Sequence, residues 1–371
     1  MIDKEARMAL SWTFDAGDPK LTETLVEQPA TEVWRHTLAG DLGAGPQRRA
    51  TAYDRAALTQ LARRSDVRFV VPGDDEWPDR LSDLVGPDPV AERGGCPAGL
   101  WLRGAGHLRE WVGRAVAVVG SRACSPYGQE TATDIAAGVA EAGWSVVSGG
   151  AYGIDVAAHR GALAAGGRTI AVLACGPDIE YPRGNLLVLQ TLAEDHLVVS
   201  ETPPGCHPTR IRFLARNRLI AALSTGTVMV EAAARSGARN TMNWATALGR
   251  RAMAVPGSVH SALSVGPHHL LREHQAELVT SAEDVLELVA PMGDHLTSPR
   301  RGAVRRVDVL DPDLRPVYEA LPARGYRTAG EVALATGRTV PASLAGLSAL
   351  EHLGMAEPHD GGWRAVPMAS S

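Results

Sequence analysis

From residue 115 onward, short unbroken apolar runs alternate with longer stretches whose apolar residues recur every three or four positions. The first kind suits strands buried on both faces of a sheet, and the second suits the helices that cover them. The pattern predicts strands at 115–119, 144–148, 169–174, 197–199, 228–230 and 253–255, with a last one at 277–279. Helices are expected at about 127–142, 153–165, 184–193, 212–223, 237–249 and 266–274, and a final one at 281–289. So long an alternation predicts an α/β fold built on a mostly parallel sheet.

The flanks have other patterns. Residues 1–66 are rich in Ala, Leu, Glu and Arg, with breaks at Pro29 and over 40–46, and read as a helical N-terminal module. A short stretch (67–81) and a Gly/Pro-rich passage to Gly99 precede Trp101-Leu-Arg-Gly104, which leads into the 67–290 core. Residues 291–308 hold Gly, Ser, Pro and Arg300, Arg301, Arg305 and Arg306 without an apolar period, the signature of a linker. Over 309–367 a short helix (314–321), a helix–turn–helix pair (329–337 and 341–353) and two strands resemble a winged helix.

Composition narrows the function classes. The 371 residues suffice for two or three domains, and 45% hydrophobic content supports real cores. A net charge of −5 means that any nucleic-acid surface must be a local patch. The four cysteines form no C-x-x-C pair, which argues against a disulfide framework and a zinc site and suits a reducing compartment. His268, His269 and His274 lack ligand spacing with cysteine or acid, so no metal is expected, nor any cofactor. The charged start and the lack of an apolar run of about 20 residues predict a soluble, cytoplasmic protein without a membrane partner.

The chemistry lies in the turns after the strands. Gly120-Ser121-Arg122 follows one strand and leads into a helix; glycine permits close approach, and arginine offers a fork for phosphate. Ser148-Gly149-Gly150 and Ser236-Gly237 repeat the arrangement, and Val255-Pro-Gly257 ends another strand. All are expected at the carboxyl ends of parallel strands, where open sheets bind ligands. Arg216 shares a helical stripe with Leu219, Ile220 and Leu223, so it should point inward and need an anion. Asn217 is expected to bond a neighbouring turn, and Arg218, off the stripe, to be solvated or on the groove rim. Phe213, Tyr127 and Tyr152 are candidates for stacking on bases, with a core role equally open to Phe213. Asp155 reads as a helix-start acid, sharing a face with His159. No G-x-G-x-x-G, P-loop ending or G-x-S-x-G elbow is present, and no activated nucleophile or acid–base pair emerges. Catalytic turnover is therefore not expected.

These segments together resemble the DprA/Smf family of bacterial DNA-processing proteins. The likeness runs from Asp74-Asp-Glu-Trp-Pro-Asp-Arg-Leu81 through Val-Val-Gly-Ser-Arg122, Ser-Gly-Gly-Ala-Tyr-Gly-Ile-Asp155 and Tyr181-Pro-Arg-Gly-Asn185. It continues through Ser200-Glu-Thr-Pro-Pro-Gly205, Arg216-Asn-Arg218, Val230-Glu-Ala232 and Ser236-Gly237 to Val255-Pro-Gly257. The resemblance implies an extended Rossmann-like domain that binds single-stranded DNA without catalysis, protects incoming DNA and loads RecA onto it in natural transformation and recombination. It also implies a homodimer, and maps the family's Gly-Ser-Arg arginine to Arg122 and its Arg-Asn-Arg positions to Arg216, Asn217 and Arg218. Where the family usually has Phe-Pro-x-Arg-Asn-Arg this chain has Phe213-Leu-Ala-Arg-Asn-Arg, and where it has Ser-Gly-Ser-Leu-Ile-Thr this chain has Ser236-Gly-Ala-Arg-Asn-Thr, which adds Arg239 near the groove. The rival reading is a Rossmann-like phosphoribohydrolase acting on nucleoside monophosphates. Its Pro-Gly-Gly-x-Gly-Thr-x-x-Glu run is incomplete here, where Val230-Glu-Ala-Ala-Ala-Arg-Ser-Gly stands instead.

Overall fold

A computed structural model describes residues 2–295, 307 and 310–366. The chain divides into two compact units, Met1–Thr297 and Ser298–Ser371. Most of the expected linker, including its four arginines, lies outside the described residues.

The first unit opens with five helices: α1 (Asp3–Thr13), α2 (Pro19–Glu27), α3 (Ala30–Ala39), α4 (Ala44–Thr51) and α5 (Arg55–Arg64). Their ends follow local chemistry. Asp18 accepts from the first-turn amides of Lys20 and Leu21, Pro29 precedes α3, and Gly40 closes α3 at φ 93°. Leu10, Phe14, Val33 and Trp34 fill the space between these helices.

The sheet that follows contains β1 (Val67–Val70), β2 (Leu100–Arg103), β3 (Ala115–Val119), β4 (Ser145–Ser148), β5 (Thr169–Leu173), β6 (Leu197–Ser200), β7 (Gly226–Met229), β8 (Arg251–Ala254) and β9 (Glu277–Leu278). Interleaved helices are α6 (Leu108–Trp111), α7 (Pro126–Glu141), α8 (Ile154–Ala164), α9 (Leu186–Asp195), α10 (Arg210–Ala222), α11 (Ala238–Ala247), α12 (Val265–Arg272) and α13 (Ala282–Val289). Seven strands and their helices match the expected alternation. The order is β1-β2-β6-β5-β4-β3-β7-β8-β9, parallel from β6 to β9, with β1 and β2 added antiparallel at one edge. Those two strands are additions to the expected set. Each is four residues long and each pairs far away in sequence, so no local period marks it.

Side chains of β3 alternate between the two layers, as a pleated strand requires. Val116 and Val118 pack into a core with Ile135, Val139, Ile154 and Val285, while Ala117 and Val119 pack with Leu219, Ile220, Met242 and Trp244. Among the described residues no helix is long and apolar enough to cross a membrane.

The second unit holds α14 (Arg315–Glu319), α15 (Ala329–Thr336), α16 (Val340–His352) and the antiparallel pair β10 (Ala356–His359) and β11 (Gly362–Ala365). Thr328 and Glu331 form a capping box on α15, and Gly337 ends it at φ 64°. Val317, Val332, Leu347, Leu350 and Met355 make its core. The element order is the expected one, and its assignment as a winged helix is a proposal.

Candidate nucleic-acid interface

The chain winds from β3 outward through β4, β5 and β6, then returns across the sheet to place β7 on the other side of β3. At that reversal the loops after β3 and β7 diverge, and a crevice must open outside their carboxyl ends. A cavity of about 750 Å³ occupies this position. Its wall includes Gly120, Ser121 and Arg122 from the β3 loop, Ser236 and Gly237 from the β7 loop, and Phe213, Arg216 and Asn217 from α10. The two loops touch at Gly120, where a Cβ would come 2.5 Å from Ile154 and 2.8 Å from the Glu231 carbonyl oxygen. Only glycine fits that approach. The Ser121 amide donates to the same carbonyl at 2.7 Å.

Arg216 is the most buried cation of the cavity wall, 6% exposed. Its Nη1 lies 3.8 Å from the Asp155 carboxylate and donates to the Val172 carbonyl at 3.4 Å. Its Nε is buried without a hydrogen-bond partner among the described residues. Burial pushes the Asp155 carboxyl above its usual range and the Arg216 guanidinium below its own, and in both cases the opposite charge counters the shift. An arginine held by one distant carboxylate and one long hydrogen bond is underpaired, and a phosphate oxygen could complete it.

Phe213 stands between two guanidinium groups, 4.6 Å from Arg122 and 5.9 Å from Arg216. It is a half-buried wall of the cavity and not a core residue. Arg122 is exposed and forms no ion pair among the described residues, so its fork is free. Two cations unmarked in the sequence reading join the wall, Arg210 at the start of α10 and Arg235 just before Ser236. Arg235 directly precedes Ser236, already marked, and that adjacency was its available signal; Arg210 lies two residues before the expected helix at 212–223. Four arginines against one aspartate make a positive pocket in a chain of net charge −5.

Other expectations need correction. Arg218 is neither solvated nor on the rim: it is 0% exposed, and its Nη1 and Nη2 each donate to Glu201 at 2.8 Å. The reason is that α10 is covered on more than its sheet side, so no face of its second half reaches water. Ser148 is also wholly buried and donates to the Val118 carbonyl at 2.6 Å, fastening β4 to β3. Gly149 and Gly150 are buried beneath the cavity floor, where Gly149 makes room for Arg216. Arg239 is half-buried, donates to the Ala234 carbonyl at 3.4 Å and is not part of the cavity wall, nor is the Val255-Pro-Gly257 turn. The Tyr127 hydroxyl donates to Pro256 and that of Tyr152 accepts from Gly184, and neither ring lines this cavity. Asn217 bonds the neighbouring turn as expected, donating to the Gly237 carbonyl and the Asn240 side chain.

Asp155 lies in the first turn of α8, as a helix-start acid should, and His159 follows on the same helix. His159 is 0% exposed. The Thr169 hydroxyl, 2.7 Å from its Nδ1, donates to the Val146 carbonyl, so Nδ1 carries the proton and Nε2 is a bare, buried nitrogen. Burial, with help from His196 and Arg216, pushes this pKa down to about 3. In the unfolded chain a histidine protonates near ~6.5. Stability from the neutral ring is therefore full above that pH and declines as pH falls toward the folded value. The expected slope is ~1.4 kcal/mol per pH unit. Denaturant unfolding at several pH values, for the parent and His159→Gln, checks this. The parent should lose more stability on acidification, and equal losses would refute the assignment.

Residues 68–290 match the family model described as DNA recombination-mediator protein A. A Mycobacterium tuberculosis protein named as a putative DNA processing protein DprA is 50% identical over 317 residues, 84% of this chain and 80% of the relative. The crystal structure of DNA processing protein A from Streptococcus pneumoniae superposes with a TM-score of 0.65 and 34% identity, covering 78% of this chain and 99% of that one. A Helicobacter pylori structure, whose description concerns the single-stranded DNA binding mode of its DNA processing protein A, matches with a TM-score of 0.51 and 28% identity over 60% of this chain and 96% of that one. The parallel sheet, the crevice at its reversal and these likenesses agree: the chain belongs to the DNA recombination-mediator protein A (DprA/Smf) family.

Proposed function

We propose that this protein holds single-stranded DNA in the cavity at the β3–β7 reversal and delivers it to RecA, as a homodimer and without chemical turnover. The observation that carries this reading is Arg216, a buried guanidinium with an unpartnered Nε on the wall of a cavity otherwise ringed by Arg122, Arg210 and Arg235. Phosphates would take the forks, while Phe213 offers one ring to a base. Contact should therefore be mostly electrostatic and tolerant of sequence. The single-stranded DNA binding mode named in the description of the Helicobacter pylori structure supports the same choice.

The phosphoribohydrolase alternative loses support from Glu231. Both of its carboxylate oxygens are engaged by Ser125, one by the backbone amide at 2.8 Å and one by the hydroxyl at 2.6 Å, an arrangement that fixes the start of α7. The C-terminal unit reads as an accessory interaction module, because α16 contains neither Lys nor Arg to grip phosphate. Competition between single-stranded and duplex oligonucleotides of equal length tests the reading. The single strand should bind at least tenfold more tightly, and RecA filaments should nucleate faster on the bound strand. Equal affinity for duplex would overturn it.

A further inference from the structure

Arg218 and Arg216 leave α10 in different directions, and what holds Arg218 comes from three separate parts of the chain. Its Nε donates to the carbonyls of Gly94 and Gly95 at 3.2 and 2.9 Å. Its Nη1 donates to Glu201 and to the Ala215 carbonyl, and its Nη2 to the other oxygen of Glu201. Glu201 also accepts from the Gly17 amide, in the turn between α1 and α2, at 3.2 Å. Gly17 in turn accepts from the Gly94 amide at 3.0 Å. Its φ of 65° and its approach to Ala215 and Arg218 leave little room for a side chain. A single buried node thus ties the N-terminal helices, the 94–95 segment, the end of β6 and α10.

We infer that Arg218 is a positioning residue for DNA binding: through Glu201 and Gly17 it fixes the rotation of α10 against the N-terminal helical module, and so aims Arg216 and Phe213 into the cavity. A rigid fork bonded on all three nitrogens allows α10 one rotation, whereas a lysine ammonium, a point charge on a flexible stem, does not. Arg216 sits two residues away on the same helix, so a turn of α10 about its axis moves it out of register with Asp155 and the cavity wall. The N-terminal module thereby contributes to affinity without touching DNA.

This inference rests on the cavity being the single-strand site, and the two can fail separately. The test uses the intact chain and fluorescence anisotropy with a labelled single-stranded oligonucleotide over a range of salt. Arg218→Lys should weaken binding roughly tenfold while the slope of log affinity against log salt stays unchanged, because no phosphate contact is lost. Arg218→Gln, which removes the charge, should leave that slope unchanged as well; a slope shallower by about 0.7 would make Arg218 a direct phosphate contact and overturn the inference. Gly17→Ala disturbs the same node from the module side without altering any charge and should weaken binding at an unchanged slope, which keeps the test decisive if Arg218→Lys does not fold. Leu10→Ala loosens the core of the module away from the node and should leave the affinity of the folded protein within twofold. Node variants that bind like the parent, or Leu10→Ala binding as weakly as they do, would show that Arg218 serves only folding. If Arg122→Ala binds like the parent, the cavity reading itself fails.

Discussion

Gly149→Ala is expected to weaken single-strand binding by at least roughly thirtyfold, the equivalent of ~2 kcal/mol from one truncated buried charge contact. A Cβ at this position would fall 1.3 Å from the Arg216 Nη1, 2.4 Å from its Cζ and 2.6 Å from the Asp155 carboxylate. The Gly149 backbone does not need a positive φ, so alanine itself is tolerable there. What cannot remain is Arg216 in its slot. Expelled, it leaves Asp155 buried without its countercharge and removes the deepest cation from the cavity. Anisotropy titration of the folded variant measures the effect. Binding at parental strength would remove Arg216 from the interface.

The largest stability effect is expected from Glu201→Ala, on the order of 3–5 kcal/mol. Arg218 is fully buried, and its two bonds to Glu201 are both 2.8 Å, a bidentate geometry with little water to screen it. Removing the carboxylate strands a cation in the interior and frees the Gly17 amide as well. Against a typical total of about 5–15 kcal/mol, such a loss is severe. Urea unfolding monitored by circular dichroism provides the value. A change below ~1 kcal/mol would mean that water or another anion satisfies Arg218, contrary to the geometry described.

The parts of this protein legible in its sequence are those governed by local period. The central strands are mostly continuous apolar runs because both faces of β3 to β7 are covered, and the helices between them follow the helical repeat. The glycine of Gly120-Ser121-Arg122 pointed to a close backbone approach, and the approach is there, against Ile154 and Glu231. What depends on distant pairing was hidden. β1 and β2 are short segments that become strands only by pairing with one another and with β6. Arg218 was misplaced for a related reason. The stripe of Leu219, Ile220 and Leu223 describes one buried face, and nothing local reveals that Gly94, Gly95 and Glu201 close over another. Ser148 similarly resembles a turn residue in sequence, yet its hydroxyl is spent inside the sheet. A motif shows that a residue type is needed, and its burial then decides whether it meets the ligand or holds the wall.

The central claim, that DNA phosphates enter the cavity at the β3–β7 reversal, is tested most directly at Arg122. This arginine is exposed, carries no protein ion pair among the described residues and lies with its guanidinium 4.6 Å from the Phe213 ring, so its removal should scarcely alter folding. The measurement is the single-strand affinity of the parent and Arg122→Ala across a salt series, with thermal unfolding recorded in parallel. The account predicts weaker binding, a log–log salt slope shallower by about 0.7 for one lost phosphate contact, and an unchanged unfolding temperature. Parental affinity together with a parental slope would place the DNA somewhere else on the protein.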